Sequence, residues 1–117
     1  MKKQILILLA IMLFSKMTAQ GTPSLTIEQI ESFKTMISQE DIFYYTGAEQ
    51  IVYVNPDIWS LMDFKQRKTF TENLCVYINR YVLRNNDWKS WWIQIKNMAT
   101  QKKMAKWDDL VGYKEFN

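Results

Sequence analysis

Cys75 is the only cysteine in this chain of 117 residues, so no disulfide can form within it. Whatever domain the sequence builds must stand on its apolar core. The opening residues sharpen that constraint. Met1-Lys2-Lys3-Gln4 is a short cationic start, Ile5 to Phe14 is an unbroken apolar run, and Ser15-Lys16-Met17-Thr18 leads to the small residue Ala19. Positive start, short apolar middle and small exit residue make the plan of a secretory signal peptide. Crossing a bilayer takes roughly 20 apolar residues, about twice this run, and Lys16 follows it directly. The expectation is cleavage after Ala19, in a bacterial style of export, giving a periplasmic or secreted product that does not span the membrane. Exported domains of this size are often stapled by disulfides, and this one is not.

Cleavage there leaves residues 20–117, enough for one compact domain with a single core. It also changes the charge. The formal net charge of +3 comes from Lys2, Lys3 and Lys16, all in the export segment; the rest of the chain balances twelve basic against twelve acidic residues. Nucleic-acid binding needs a concentrated positive field to neutralise phosphates, and the overall charge supplies none. Core material is plentiful, because aromatic residues make up 15% of the chain.

Residues 20–25, with Gly21 and Pro23, read as a linker, and residues 26–117 as a single domain. Thr26-Ile27-Glu28-Gln29 fits a capping box at the start of a helix. Ile27, Ile30, Phe33 and Ile37 then recur at helical spacing, and the helix ends near Gln39. Two short β-branched and aromatic runs follow, Ile42 to Tyr45 and Gln50 to Val54, joined by Thr46-Gly47-Ala48-Glu49 as in a hairpin; continuation of the helix through Tyr45 is the alternative. Asn55-Pro56-Asp57 stops the strand, with Asp57 placed to open a single turn carrying Ile58, Trp59 and Leu61. A long helix from Asp63 to about Arg84 presents Phe70, Leu74, Tyr77, Ile78 and Tyr81 as its inner stripe. Two final strands, Trp91 to Lys96 and Lys103 to Trp107, form a second hairpin, with Lys96, Lys102, Lys103 and Lys106 placed to protect an edge. Helix, hairpin, helix, hairpin is the order of an α+β fold. The expectation is a small two-layer sandwich: an antiparallel sheet of about four strands with two helices on one face.

Chemistry is marked by what is missing. The chain has no histidine, which removes the commonest general base and the commonest metal ligand. Cys75 lies among Leu74, Val76 and Ile78, a setting for a buried thiol. The glycines Gly21, Gly47 and Gly112 form no phosphate loop. The residues therefore point to no catalytic group, cofactor or metal. A small carboxylate hydrolase is the remaining enzymatic option, drawing on Glu40-Asp41 or Asp108-Asp109, and both pairs read as solvated loop charges.

Tryptophan is the unusual feature: Trp59, Trp88, Trp91, Trp92 and Trp107. Most belong to the core of a domain that needs large buried area per side chain. Some could instead face a partner, since Trp dominates interface hot spots. Successive strand residues face opposite sides, so if Trp91 joins Ile93 and Ile95 inside, Trp92 is the exposed candidate. The expected function is non-enzymatic binding of another envelope or extracellular protein, with Trp92, Trp88 and Trp59 as candidate contacts. A glycan-binding module using exposed aromatics is the alternative.

Overall fold

The computed structural model describes residues 23–45 and 48–116. The expected export segment 1–19, Gln20 to Thr22, the Thr46-Gly47 link and Asn117 lie outside the described residues.

Helix α1, Ile27–Ser38, starts on the capping box its sequence carries. Thr26 Oγ1 accepts from the Gln29 amide at 3.1 Å, and Gln29 Oε1 accepts from the Thr26 amide at 2.8 Å. The buried face is Gln29, Phe33 and Met36, while Ile27 is 79% exposed, so the helix is rotated from the stripe that Ile27 and Ile30 suggest. Gln29 tolerates burial because its side chain is already bonded in the cap. Ahead of α1, Arg80 Nη1 donates to the Pro23 carbonyl at 2.7 Å and the Leu25 amide to the Tyr81 hydroxyl at 3.1 Å.

The chain turns at Glu40, whose φ of 62° is left-handed, and enters β1, Ile42–Tyr45. The helix thus stops short of the continuation through Tyr45. Strand β2, Ala48–Val54, pairs antiparallel with β1, with Ile42 opposite Val54. Asn55, rather than Asp57, caps α2, Pro56–Ser60, its Oδ1 accepting from the Asp57 amide at 2.9 Å. Pro56 cannot donate to a sheet but suits the first turn of a helix. Helix α3, Phe64–Val76, opens on a second capping box between Asp63 and Gln66 and runs on into a π turn, Tyr77–Val82. Arg84, with φ 58°, ends it. A 3-10 turn, Trp88–Ser90, leads to β3, Trp92–Asn97, then β4, Lys103–Asp108, and β5, Gly112–Glu115.

The result is the α+β sandwich of two layers, with five strands in the order β1-β2-β3-β4-β5. Each hairpin is antiparallel inside, but β2 and β3 run parallel where the hairpins meet. The reason is length. At 1.5 Å per residue, α3 and its π turn run about 28 Å, which carries the chain back past the whole of β2 before β3 begins. A helical crossover of that kind returns the next strand in the same direction. The fifth strand arises because the chain reverses at Asp108 to Gly112 and pairs Tyr113 with Trp107.

The core fills the space between helices and sheet. Val52, Val54, Ile93, Ile95 and Ala105 come from the strands, and Phe33, Met36, Phe70, Leu74 and Ile78 from the helices. Phe33 stacks on Tyr77 with ring centroids 5.2 Å apart. Full burial of such side chains is worth about 2–3 kcal/mol each, so this core supplies the stabilisation that a domain with one cysteine must find elsewhere than in disulfides.

Candidate functional site

Among the described residues, helices cover only one face of the sheet. The register then assigns the other face residue by residue, because paired residues share a side. Opposite the buried Val52, Val54, Ile93 and Ile95 stand Ile51, Tyr53, Trp92, Gln94 and Lys96. Tyr53 pairs with Phe43 and Lys96, Lys96 with Lys103, Gln94 with Ile51 and Lys106, Lys106 with Lys114, and Trp92 with Asp108. This open face is graded: aromatic and aliphatic toward β1 and β2, basic toward β4 and β5.

At the end of the sheet where β3 begins and β4 finishes lies a hollow of about 390 Å³. Trp92, Gln94, Lys106, Asp108 and Leu110 are among its lining residues. Trp91 is 2% exposed and Trp92 40%, the division that strand alternation requires. The Trp91 indole donates to the Asn85 carbonyl at 3.0 Å, which satisfies its one polar atom inside. Leu110 and Val111, on the turn between β4 and β5, are 96% and 64% exposed. That turn is not loose. Asp108 Oδ1 accepts from the Leu110 amide at 3.0 Å and from the Val111 amide at 2.7 Å, and Gly112 takes the left-handed φ of 79° that lets the chain return. Lys106 Nζ lies 3.5 Å from Asp108 Oδ2. The Val111 amide foremost holds the Asp108 carboxyl below its ordinary range; burial opposes it, and Lys106 and the Leu110 amide add to the lowering.

The three tryptophans singled out in the sequence do not converge. Trp92 stands on the open face. Trp88, in the 3-10 turn just before β3, is partly buried against the core. Trp59, in α2, is at the far end of the sheet, where β2 exits; it meets Phe70 edge-on at 6.4 Å and lies 6.0 Å beneath the Arg67 guanidinium.

The carboxylate pairs are also separated. Asp41 is 2% exposed just before Ile42, whose partner is Val54, whereas Asp108 pairs with Trp92 at the opposite end of the strands. Both oxygens of Asp108 are engaged, one in the turn and one with Lys106. Among the described residues no three His, Cys, Asp or Glu side chains gather as a metal site. Cys75 is buried, and burial raises its thiol pKa well above the ordinary value. No helix among the described residues is long and apolar enough to cross a membrane.

Two features of this face were hidden in the sequence. Leu110 and Val111 fall after Trp107, where the last strand is expected to finish; the signal for a further strand is Gly112 followed by Tyr113-Lys114-Glu115. Lys96, Lys103 and Lys106 suggest edge protection, but β5 covers β4, and the edges of the sheet are β1 and β5. Those lysines decorate a face instead.

Compared with protein-family models, curated proteins and solved structures, the chain matches none of them.

Proposed function

We propose that this chain is an exported, non-enzymatic domain that binds another protein through the open end of its sheet, with Trp92 as the anchor. One observation carries the reading: a 40% exposed Trp92 lines the hollow together with the fully projecting Leu110. Aromatic anchors beside apolar contacts, rimmed by charges, are the anatomy of a protein interface. The Asp108 turn adds to the case, because side chains held in place before binding lose less freedom on docking. Export rests on the tripartite pattern of residues 1–19.

The test is purification of the tagged full chain from its native host, as wild type and as Trp92→Ala, with mass spectrometry of bait and retained proteins. A stoichiometric companion lost from the variant, on a bait beginning at Gln20, supports both parts. A companion held equally by both baits rules Trp92 out as anchor, and a bait retaining Met1 rules out cleavage.

A second reading, glycan binding, draws on the polar groups beside Trp92 in the same hollow: Gln94, Lys106 and Asp108. Cell-wall fragments would then quench or shift tryptophan emission in the wild type and not in Trp92→Ala. A flat titration removes this option. The exposed Leu110 and Val111 favour the protein reading, since a sugar has little use for an aliphatic tip.

A further inference from the structure

We propose that the partner offers an acidic protein segment, received by Lys96, Lys103 and Lys114 on the open face of the sheet; this deepens the protein-binding reading and rests on it. The lysines stand on three neighbouring strands. Lys96 on β3 pairs with Lys103 on β4, and Lys114 on β5 pairs with Lys106 on β4. Lys106 is engaged by Asp108, but among the described residues Lys96, Lys103 and Lys114 form no ion pair. Like charges directly across a sheet repel one another.

Two of these ammoniums also share an aromatic neighbour. Lys103 Nζ lies 6.0 Å and Lys114 Nζ 5.6 Å from the centroid of the Phe116 ring. The ring attracts each cation, so both are held beside one aromatic side chain. Incoming carboxylates would relieve the cross-strand repulsion without moving the lysines. Beside the basic half of the face lie Phe43, Ile51, Tyr53 and Trp92, of which Phe43 is 47% exposed. The matching occupant therefore carries acidic and apolar side chains together.

Other occupants fit less well. A second copy docked face to face by two-fold symmetry would set lysine against lysine. A nucleic acid would leave the aliphatic tip unused, and the basic positions are lysines rather than the bidentate arginines that grip phosphate best. An anionic membrane would have to take in Leu110 with the exposed carboxylate of Asp109 beside it.

The test uses protein purified after expression of the full chain. The probe is a short fluorescein-labelled peptide of alternating glutamate and leucine, followed by anisotropy, with a lysine-leucine peptide as control. Binding is expected for the acidic peptide alone, weakening severalfold between about 50 and about 300 mM salt as screening shortens. Replacing Lys96, Lys103 and Lys114 together by glutamine should weaken it about tenfold, and replacing them by arginine should restore it. No binding of the acidic peptide, or equal binding by the glutamine variant, overturns the proposal. Lysine-dependent binding of phosphatidylglycerol vesicles or polyuridylate in place of the peptide also overturns it, and assigns the face to lipid or nucleic acid. Native capture that needs Trp92 but not the three lysines would sink the acidic partner and keep the protein-binding reading. Lysine-dependent peptide binding with native capture indifferent to Trp92 would keep the acidic partner and rule Trp92 out as its anchor.

Discussion

The side-chain amide of Asn79 donates to the main-chain carbonyl of Trp92 at 3.0 Å, joining the helical layer to the strand that carries the proposed anchor. The same amide donates to the Cys75 carbonyl at 2.9 Å, and Asn79 Oδ1 accepts from Gln50 Nε2 on β2 at 3.1 Å. Asn79 is fully buried within the π turn. A π turn shifts the residues that follow it around the helix axis, and such turns are often found at functional sites. Here it belongs to the segment that sets the start of β3.

Removing that amide leaves buried partners unsatisfied. Asn79→Ala is expected to lower stability by about 2 kcal/mol, read from the urea midpoint, and to shift Trp92 emission. An unchanged midpoint would mean that the clamp contributes little.

Neighbouring tryptophans should behave in opposite ways. Trp91→Ala removes a ring that is 2% exposed, at a cost of about 3–5 kcal/mol. Trp92→Ala should stay within about 1 kcal/mol of wild type while weakening partner capture. Thermal melts of both variants check the pair; a Trp92→Ala protein that unfolds would make that residue structural.

The turn after β4 is expected to depend on one carboxylate. Asp108→Ala frees the Leu110 and Val111 amides and should cost about 1 kcal/mol, with faster hydrogen exchange at both. Partner binding should weaken as well, because Leu110 and Val111 lose their fixed positions. Exchange rates unchanged from wild type would show that the turn holds without its cap.

Two glutamates should act on acid stability with opposite signs. Arg67 Nε donates to Glu115 Oε2 at 2.6 Å and Nη2 to Oε1 at 3.1 Å, and the Tyr113 hydroxyl donates to Oε2 at 2.5 Å. Arg67 foremost, then Tyr113, hold the Glu115 carboxyl below its ordinary value of 4.5, against desolvation. Its contribution is therefore present at neutral pH and is lost as pH falls from about 4.5 through the lowered value. Glu115→Gln should flatten that part of the profile.

Glu72 acts the other way. Burial raises its pKa, with Lys68 opposing, so the charged form destabilises the fold at neutral pH and protonation relieves this as pH falls. Glu72→Gln should raise the neutral-pH urea midpoint. A lowered midpoint would show that the carboxylate has a stabilising partner.

Much of the fold was legible in local pattern. Thr26 with Gln29 and Asp63 with Gln66 announce both long helices, because a cap is a contact across three residues and needs nothing from the rest of the chain. The alternation from Trp91 to Lys96 announces a half-buried strand and places Trp92 outside once Trp91 is inside. The rotation of α1 was less legible. Gln29 lies buried and Ile27 exposed, since the packing of Phe33 and Met36 against α3 and the sheet sets the angle.

The sequence by itself determined a disulfide-free α+β domain, the starts of its two long helices, and, once Trp91 lies inside, an outward-facing Trp92. It did so because capping, strand alternation and apolar spacing are local physics. Tertiary structure alone decided that β2 and β3 run parallel, that β5 covers β4, and that Lys96, Lys103 and Lys114 share one face with Trp92. Those relations join residues far apart in the chain, and they follow from the length of α3 and the packing of its inner stripe. No window of sequence contains both sides of such a contact.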